Sequence, residues 1–312
     1  MDEITFSTLR NLTEEEACDL FAEIRWPGGV IACPKCGSLK GAYKLKSKPD
    51  SKNKVAPGTY KCKDCRRKFT VKMGTIFEKS PIPMRDWLLA VYEMNENKTG
   101  VSASQLHRKL GVTYKTAWFM CHRIREAMKQ EPLGMLLGTV EADETYIGGL
   151  EKNKHLSKRK GRSPKAKTPV FAMIERGGDV RAQKVPDTKG RTLQPIIAQN
   201  IHPHTRVMTD EYGAYFGLDR FHTSHETVHH LSKEYVRGDV HTNLAENWFS
   251  LLKRGIKGNY FHVSPTHLNR YLAEFTFRFN NRKLSDGQRT AKALKGAVGK
   301  RLTYDKTIKT EA

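Results

Sequence analysis

Two Cys-x-x-Cys pairs constrain the fold of this 312-residue chain more than any other feature. Cys33 and Cys36 form the first pair, Cys62 and Cys65 form the second, and 25 residues separate the pairs. Two such pairs can place four thiolates around one tetrahedral Zn²⁺ ion, as in a zinc ribbon. Four reduced thiols in a small core, or two disulfides, are the alternatives. The first residues lack the pattern of a secretory signal, so we expect a reducing compartment, which favours zinc over disulfides.

The composition is strongly basic, because 55 Lys and Arg residues against 33 Asp and Glu residues give a net charge of +22. Such an excess is typical of a protein that binds a polyanion, and nucleic acid is the expected partner. A membrane surface is the rival partner, but the sequence offers no long basic amphipathic helix for it. No run of about 18 apolar residues predicts a membrane-spanning helix. The length predicts roughly two domains.

From Met84 to Lys129 the periodicity is helical, and it predicts a helix-turn-helix domain at 80–131. Ser102 is the expected N-cap of a short helix, and Gly111 begins the turn that follows it. The next helix has one apolar stripe for the core, formed by Ala117, Cys121, Ile124 and Met128. Lys115 and Arg123 lie on its other face, so we predict that both lie near DNA in a recognition helix. A plain structural corner between two helices is the alternative.

After residue 132 the pattern changes to strands that alternate with helices. In the segment Thr139–Ile147, Val140 and Ala142 lie on one face, and Glu141 and Asp143 lie on the other. Later segments predict a hairpin at Val170–Val185 and a helix at Leu193–Ile201. They then predict a short strand that ends in an acid, Arg206–Asp210, and a helix that contains an acid, Asn243–Lys257. This order suits a ribonuclease-H-like α/β fold.

Three acids of this region are candidate metal ligands: Asp143, Asp210 and Glu246. In-line cleavage of a phosphodiester suits two Mg²⁺ ions, or Mn²⁺, and such hard cations prefer carboxylate oxygens. With 33 acids in the chain, the spacing from Asp210 to Glu246 could arise by chance. The helix around Glu246 is more informative, because its acid begins a basic stripe that continues through Lys253 and Lys257. A solvated helix with intrahelical ion pairs is the alternative.

A basic segment, Lys152–Lys167, follows the first of these strands and holds eight Lys or Arg residues and no acid. It is either a solvated surface segment or one that closes on the DNA backbone, and the sequence does not separate the two. The candidate DNA-binding residues in this segment and in the Glu246 helix are Lys158, Arg159, Lys160, Arg162, Lys253, Arg254 and Lys257.

Several motifs together resemble one family of bacterial insertion-sequence transposases. The resemblance covers about residues 15–285 and is carried by Val140–Gly149, Thr209–Tyr212, His241–Asn243, Glu246, Ser250–Gly255, His262–Ser264 and Arg278–Arg282. These ISXO-like proteins are DDE transposases in which a zinc ribbon and a helix-turn-helix precede a ribonuclease-H-like catalytic domain. The resemblance therefore implies a multidomain chain, with an N-terminal helical segment at 1–28, a zinc ribbon at 29–75, a helix-turn-helix at 80–131, a catalytic domain at 135–285 and a C-terminal tail at 286–312.

The same resemblance implies a function. A transposase of this family binds the terminal inverted repeats of its element, cleaves a strand there and transfers the freed 3′ hydroxyl into target DNA. For this chain it implies Mg²⁺ or Mn²⁺ at Asp143, Asp210 and Glu246, Zn²⁺ at the four cysteines, double-stranded DNA as partner, a homo-oligomer on DNA and a cytoplasmic, nucleoid-associated location. A regulator derived from a transposase and a hydrolytic nuclease of the same fold are the alternative functions.

The third acid has a neighbour that could take its place. Some members of the family carry Asn as the third residue, and Glu246 is followed here by Asn247. Adjacent residues on a helix point about 100° apart, so only one of them can face the other two acids squarely. The basic stripe is in register with Glu246, whereas Asn247 is in register with Leu251. We therefore predict Glu246 as the ligand.

Overall fold

A computed structural model describes residues 4–47, 54–149, 155–158, 167–221, 224–229 and 236–308. The chain divides into two compact units, of which the second is inserted in the sequence of the first. The first unit takes residues 1–130 and 281–312, and the second takes residues 131–280.

The first unit begins with two helices and a small antiparallel sheet. Its elements are α1 (Phe6–Asn11), α2 (Glu14–Arg25), β1 (Ala42–Lys44), β2 (Thr59–Cys62) and β3 (Lys68–Thr70), and the strand order is β1-β2-β3. Helix α2 starts with a capping box at Thr13, and its buried residue Cys18 lies against the loop that precedes β2. There Gly58 has a φ of +67°, and a Cβ at this position would lie 2.9 Å from the Cys18 Sγ of α2. Glycine is therefore required where the loop meets the helix.

Three helices follow the ribbon: α3 (Met84–Glu96), α4 (Ala103–Leu110) and α5 (Tyr114–Met128). The predicted N-cap at Ser102 is confirmed, because its hydroxyl accepts a hydrogen bond from the backbone of Gln105. Gly111 ends α4 in the left-handed region, and Thr113 caps α5 two residues later. The predicted apolar stripe of α5 is buried along its whole length.

The C-terminal segment is part of this unit. It contains α9 (Asp286–Lys295) and α10 (Tyr304–Ile308), and Ala293, Leu294 and Leu302 are buried. The resemblance implied a tail at 286–312, and short-range patterns do not reveal partners that lie more than 150 residues away in the sequence.

The prediction that Arg123 lies near DNA is wrong, because the C-terminal segment packs over this side chain. Its side chain is only 7% exposed. It donates hydrogen bonds to the carbonyls of Leu302 at 3.1 Å and Glu78 at 3.2 Å. The C-terminal segment thus covers the face of α5 that the helical spacing left open, and Arg123 is a structural residue of the first unit.

The second unit is built on a five-stranded mixed sheet. Its strands are β4 (Thr139–Ile147), β5 (Thr168–Glu175), β6 (Val180–Lys184), β7 (Arg206–Asp210) and β8 (Ser224–Val228), in the order β6-β5-β4-β7-β8. The first three pair antiparallel, whereas β7 runs parallel to both β4 and β8. The predicted hairpin is confirmed, with Gly177 at a φ of +78° in its turn.

Helices cover both faces of this sheet. Helix α6 (Gly190–Asn200) packs on one face against Val140, Ala142 and neighbouring strand residues. Helices α7 (Asn243–Gly255) and α8 (Leu268–Asn280) pack on the other face, against Val170 and Ala172 among others. The predicted alternation of β4 is confirmed, and it directs Glu141 and Asp143 toward the face that carries α7. Strand β8 and helix α8 were not predicted from the sequence.

Candidate functional site

The central strand β4 carries the first of the three acids. Asp143 lies opposite Ala172 of β5, which packs beneath α7. The backbone N–H of Glu144 donates to the Asp143 Oδ1 at 2.7 Å. Strand β4 is paired on both sides, so the backbone that positions this carboxylate is held by neighbours on either edge.

Asp210 is the last residue of β7, the parallel neighbour of β4. The pairing places Glu141 beside Met208. Continuing that register by two residues brings Asp143 level with Asp210 and on the same face, because side chains alternate with a period of two. The backbone N–H of Tyr212 donates to the Asp210 Oδ1 at 3.1 Å.

Glu246 lies in the first turn of α7 and is exposed. The charge of Glu246 contributes to the raised pKa of Asp143. This pKa is about 8, chiefly because of burial and also because of the charges of Glu144, Asp210 and Glu246. The structure thus brings the three predicted acids into one electrostatic cluster. Among the described residues no three carboxylates offer oxygens within 4.8 Å of one another.

Basic residues of α7 border this acidic cluster. Burial lowers the pKa of Lys253, as do the charges of Lys257 and Lys167, while Asp143 and Glu246 oppose the shift. Lys253 therefore lies within electrostatic reach of both acids, as the stripe along the helix predicts. Arg254 and Lys257 are exposed.

Two further acids of β4 were missed as functional candidates. Glu144 points to the opposite face of the sheet, where Tyr215 donates a hydrogen bond to its Oε2. Burial raises the pKa of Glu144 to about 7. Glu141 is fully buried and paired with Arg176. The signal that could have found them is the run of three acids within four residues, Glu141 to Glu144, in a strand with a buried face.

The raised pKa of Asp143 predicts how stability depends on pH without metal. The unfolded chain has an Asp pKa of about 4, so between about pH 4 and pH 8 the folded state binds more protons than the unfolded state. The free energy of unfolding should therefore fall as pH rises through this range. We expect Asp143→Asn to raise the melting temperature at pH 8 by several degrees and to change it little at pH 5.

Thermal unfolding in chelator at the two pH values measures this effect. Asp187→Asn is the matched control, because hydrogen bonds from Thr192 and Lys189 lower the pKa of Asp187. Removal of the Asp187 charge should therefore not raise the melting temperature at pH 8. An Asp143→Asn protein that is no more stable than the parent at pH 8 would contradict the burial of a charged carboxylate at this position.

The four cysteines of the first unit form a second candidate site. Their sulfur atoms all lie within 4.8 Å of one another. Cys33 and Cys65 are 3.8 Å apart, as are Cys36 and Cys62. A tetrahedral ion with Zn–S bonds of about 2.3 Å requires sulfur atoms about 3.8 Å apart. The cluster therefore fits Zn²⁺, and the donor set of four thiolates fits a structural zinc site.

The remaining predicted DNA-binding residues fall into two groups. Lys115 is exposed in the first turn of α5, with its Nζ 4.6 Å from the centre of the Tyr304 ring. Lys158 is the last residue of a short 3₁₀ turn, Leu156–Lys158. Arg159, Lys160 and Arg162 lie outside the described residues. None of the helices that the structure describes is long and apolar enough to cross a membrane.

Comparison with known proteins adds family information to this geometry. Residues 135–280 match a family described as an ISXO2-like transposase domain, and residues 12–68 match a transposase zinc-ribbon domain. A protein in the transposable element ISH50 of Halobacterium salinarum is 33% identical over 285 residues, which is 86% of this chain and 91% of that protein. A transposase-like protein of Haemophilus influenzae is 30% identical over 100 residues, which is 32% of this chain and 80% of that protein.

A solved structure also shows a weak similarity. It is a simian T-cell lymphotropic virus intasome in complex with the PP2A regulatory subunit B56 gamma. The match has 14% sequence identity and a TM-score of 0.28, and it covers 56% of this chain and 64% of that chain. A similarity at this level carries no conclusion about fold or function.

Proposed function

Since this chain belongs to the family of ISXO2-like insertion-sequence transposases, we propose that it binds the terminal inverted repeats of its element and catalyses metal-dependent strand cleavage and strand transfer. The observation that carries the proposal is the cluster of Asp143, Asp210 and Glu246, three acids from separate elements whose charges interact. Burial and the neighbouring acids together raise the pKa of Asp143 to about 8. Acidic side chains held close together in a fold, with a perturbed pKa among them, are typical of a functional site and suit the binding of cations.

In this proposal the three carboxylates hold two Mg²⁺ ions, and Mn²⁺ can replace them. When bound, the ions would supply activation of the attacking water or 3′ hydroxyl and stabilisation of the leaving oxygen. The chain supplies position: β4 and β7 fix two carboxylates at neighbouring strand positions, and α7 presents the third above them. Lys253 borders the cluster and can bind the phosphate backbone beside the scissile bond. No side chain serves as a covalent nucleophile.

We propose that the second unit has a ribonuclease-H-like fold. The support is its strand order, in which an antiparallel hairpin lies on one side of β4 and two parallel strands lie on the other. The candidate acids occupy the central strand, its parallel neighbour and a late helix.

End recognition is proposed for the first unit. Helices α4 and α5 are joined by the short turn Gly111–Thr113, and the first turn of α5 exposes Tyr114 and Lys115. Residues at the start of a recognition helix are those that reach base edges in helix-turn-helix proteins. The basic surface of the zinc ribbon would add contacts to the backbone. As a DNA-binding protein the chain would act at the nucleoid in the cytoplasm, as a homo-oligomer that brings two element ends together.

A Lys115 variant tests the role of α5. Each phosphate contact releases counterions, so we expect Lys115→Ala to weaken binding to terminal-repeat DNA and to reduce the slope of log affinity against log salt by about 1. Lys295→Ala is the control, because it removes an exposed lysine from α9 of the same unit. Binding isotherms of the full chain at several salt concentrations measure both variants. Equal slopes for the two variants would place recognition elsewhere.

The decisive experiment is a cleavage and joining assay on labelled terminal-repeat DNA with purified full-length protein. We expect nicking at the element end and joined products with Mg²⁺ or Mn²⁺, and neither product in EDTA. Binding without any cleavage would favour a regulator derived from a transposase. Cleavage without joining would favour a hydrolytic nuclease.

A further inference from the structure

Glu141 is fully buried, yet its carboxylate belongs to neither the acidic cluster nor the exposed surface. Its Oε2 accepts hydrogen bonds from the backbone N–H groups of Leu244 at 2.7 Å and Ala245 at 3.3 Å. These are the second and third residues of α7. The carboxylate of a strand residue therefore caps a helix that begins about 100 residues later in the chain.

The start of α7 needs this cap. The first N–H groups of a helix have no partner within it. Thr242 occupies the N-cap position with φ −114° and ψ 22°, and its side chain makes no capping hydrogen bond. The Glu246 N–H reaches the Thr242 carbonyl at 3.1 Å. Glu141 supplies the acceptor for two of the remaining donors, and its negative charge also suits the positive end of the helix dipole.

The other oxygen of Glu141 is fixed as well. Its Oε1 accepts from the Nε of Arg176 at 2.8 Å and lies 3.1 Å from the Nδ1 of His241. Arg176 in turn donates to the carbonyls of Asp239 at 2.7 Å and His241 at 3.1 Å. The segment that leads into α7 is therefore bound to the same carboxylate through the guanidinium group.

These contacts join two residues of the candidate site. Glu141 lies two residues before Asp143 on the same face of β4, and its hydrogen-bond partner Ala245 directly precedes Glu246. A single buried side chain thus connects the strand that carries the first acid with the helix that carries the third. Movement of the first turn of α7 away from β4 would break these hydrogen bonds.

We propose that Glu141 is a positioning residue, which holds the first turn of α7 against β4 and thereby sets the separation of Glu246 from Asp143. The proposal rests on the proposed function in one respect, namely that these two acids bind the catalytic metal ions. Residues that orient metal ligands without touching the metal typically change metal affinity or activity by about 10–100-fold when they are replaced.

Glu141→Gln is the informative substitution, because it keeps the shape of the side chain. In the parent both oxygens accept hydrogen bonds. In the variant one of them becomes an NH₂ group, which must face either the Arg176 guanidinium or the helix N–H groups, donor against donor. The variant therefore loses the hydrogen bonds either to the Arg176 guanidinium or to the N–H groups at the start of α7. Glu141→Asp keeps the charge but shortens the reach by one methylene, so we expect an intermediate effect.

Glu274→Gln is the matched control. Glu274 is fully buried in the same unit and accepts hydrogen bonds from Arg278 and from the Tyr260 hydroxyl, and both of these residues lie outside the first turn of α7. Both variants lose the charge of a buried, paired carboxylate. Only Glu141→Gln should affect the geometry of the acidic cluster.

Two measurements on the full-length variants decide the proposal. In hydrogen exchange, peptides that cover residues 243–249 should exchange faster in Glu141→Gln than in the parent and in Glu274→Gln. In the cleavage assay, the Mn²⁺ concentration for half-maximal rate should rise about 10–100-fold in Glu141→Gln, and saturating Mn²⁺ should restore much of the rate. Asp143→Asn, which removes a ligand, should stay inactive at every Mn²⁺ concentration.

Unchanged exchange in residues 243–249, or an equal Mn²⁺ requirement in Glu141→Gln and Glu274→Gln, overturns the positioning role. If the parent protein cleaves at no Mn²⁺ concentration, the proposed function fails instead. In that case hydrogen exchange still tests the cap, and Mn²⁺ titration by calorimetry replaces the cleavage assay. Equal Mn²⁺ affinity of Glu141→Gln and the parent would then overturn the inference.

Discussion

Asp143→Asn, Asp210→Asn and Glu246→Gln are each expected to abolish both strand cleavage and strand transfer while binding to the element ends stays intact. Each substitution keeps the shape of the side chain and removes one anionic ligand. When catalytic groups act as a unit, removal of one of them removes almost all of the rate enhancement. We therefore expect the rates of cleavage and transfer to fall about 10³-fold or more in each variant. Labelled terminal-repeat DNA, assayed for nicked and joined products, measures the change.

The choice of metal and one neighbouring residue serve as controls for this result. Mn²⁺ should replace Mg²⁺, whereas Ca²⁺ should support binding with little cleavage because its coordination is looser and larger. Asn247→Ala should remain active. If Asn247→Ala is inactive while Glu246→Gln cleaves, Asn247 is the third ligand. If all three amide variants still cleave, the catalytic site lies elsewhere in the chain.

Cys62→Ser is expected to release the Zn²⁺ ion and to unfold the ribbon. In structural sites of this kind the free energy of zinc binding, about 10–16 kcal/mol in small zinc-finger peptides, is also the free energy of folding. Elemental analysis should therefore fall from one zinc per chain to none, and residues 30–70 should become sensitive to protease. Binding to terminal-repeat DNA should weaken in the same preparation.

Cys18→Ala is the control for this experiment. Cys18 is a buried thiol of the same unit that packs near Gly58 and lies outside the four-cysteine cluster. We expect this variant to keep its zinc and the protease resistance of residues 30–70. Folded protein that contains no zinc, from the parent chain, would overturn the metal assignment.

Sequence patterns with short periods predicted the local features of both units. The two cysteine pairs indicated the zinc ribbon, and the family resemblance that they supported is confirmed. The alternation in β4 placed Glu141 and Asp143 on one face, and the turn at Gly177 gave the hairpin. Each of these signals depends on a few adjacent residues, so the rest of the chain is not needed to interpret it.

Features that depend on distant segments could not be predicted in this way. Helical spacing showed that Arg123 lies off the apolar stripe of α5, but not that Leu302 would cover it. The alternation in β4 placed Glu141 on the same face as Asp143, but it did not show that the partners of Glu141 would be the N–H groups of Leu244 and Ala245. Strand β8 consists of half-buried polar residues up to Val228, so it carries no hydrophobic period that would identify it.

The insertion of one unit within the other imposes an order on synthesis. A ribosome makes a chain from its N-terminus, and domains fold as units when their residues have emerged. The sheet unit is complete once residue 280 has emerged, although its synthesis begins after residue 130. The first unit cannot be completed until Leu302 has emerged, because the Leu302 carbonyl accepts a hydrogen bond from Arg123. The sheet unit can therefore fold before the first unit can close around α5.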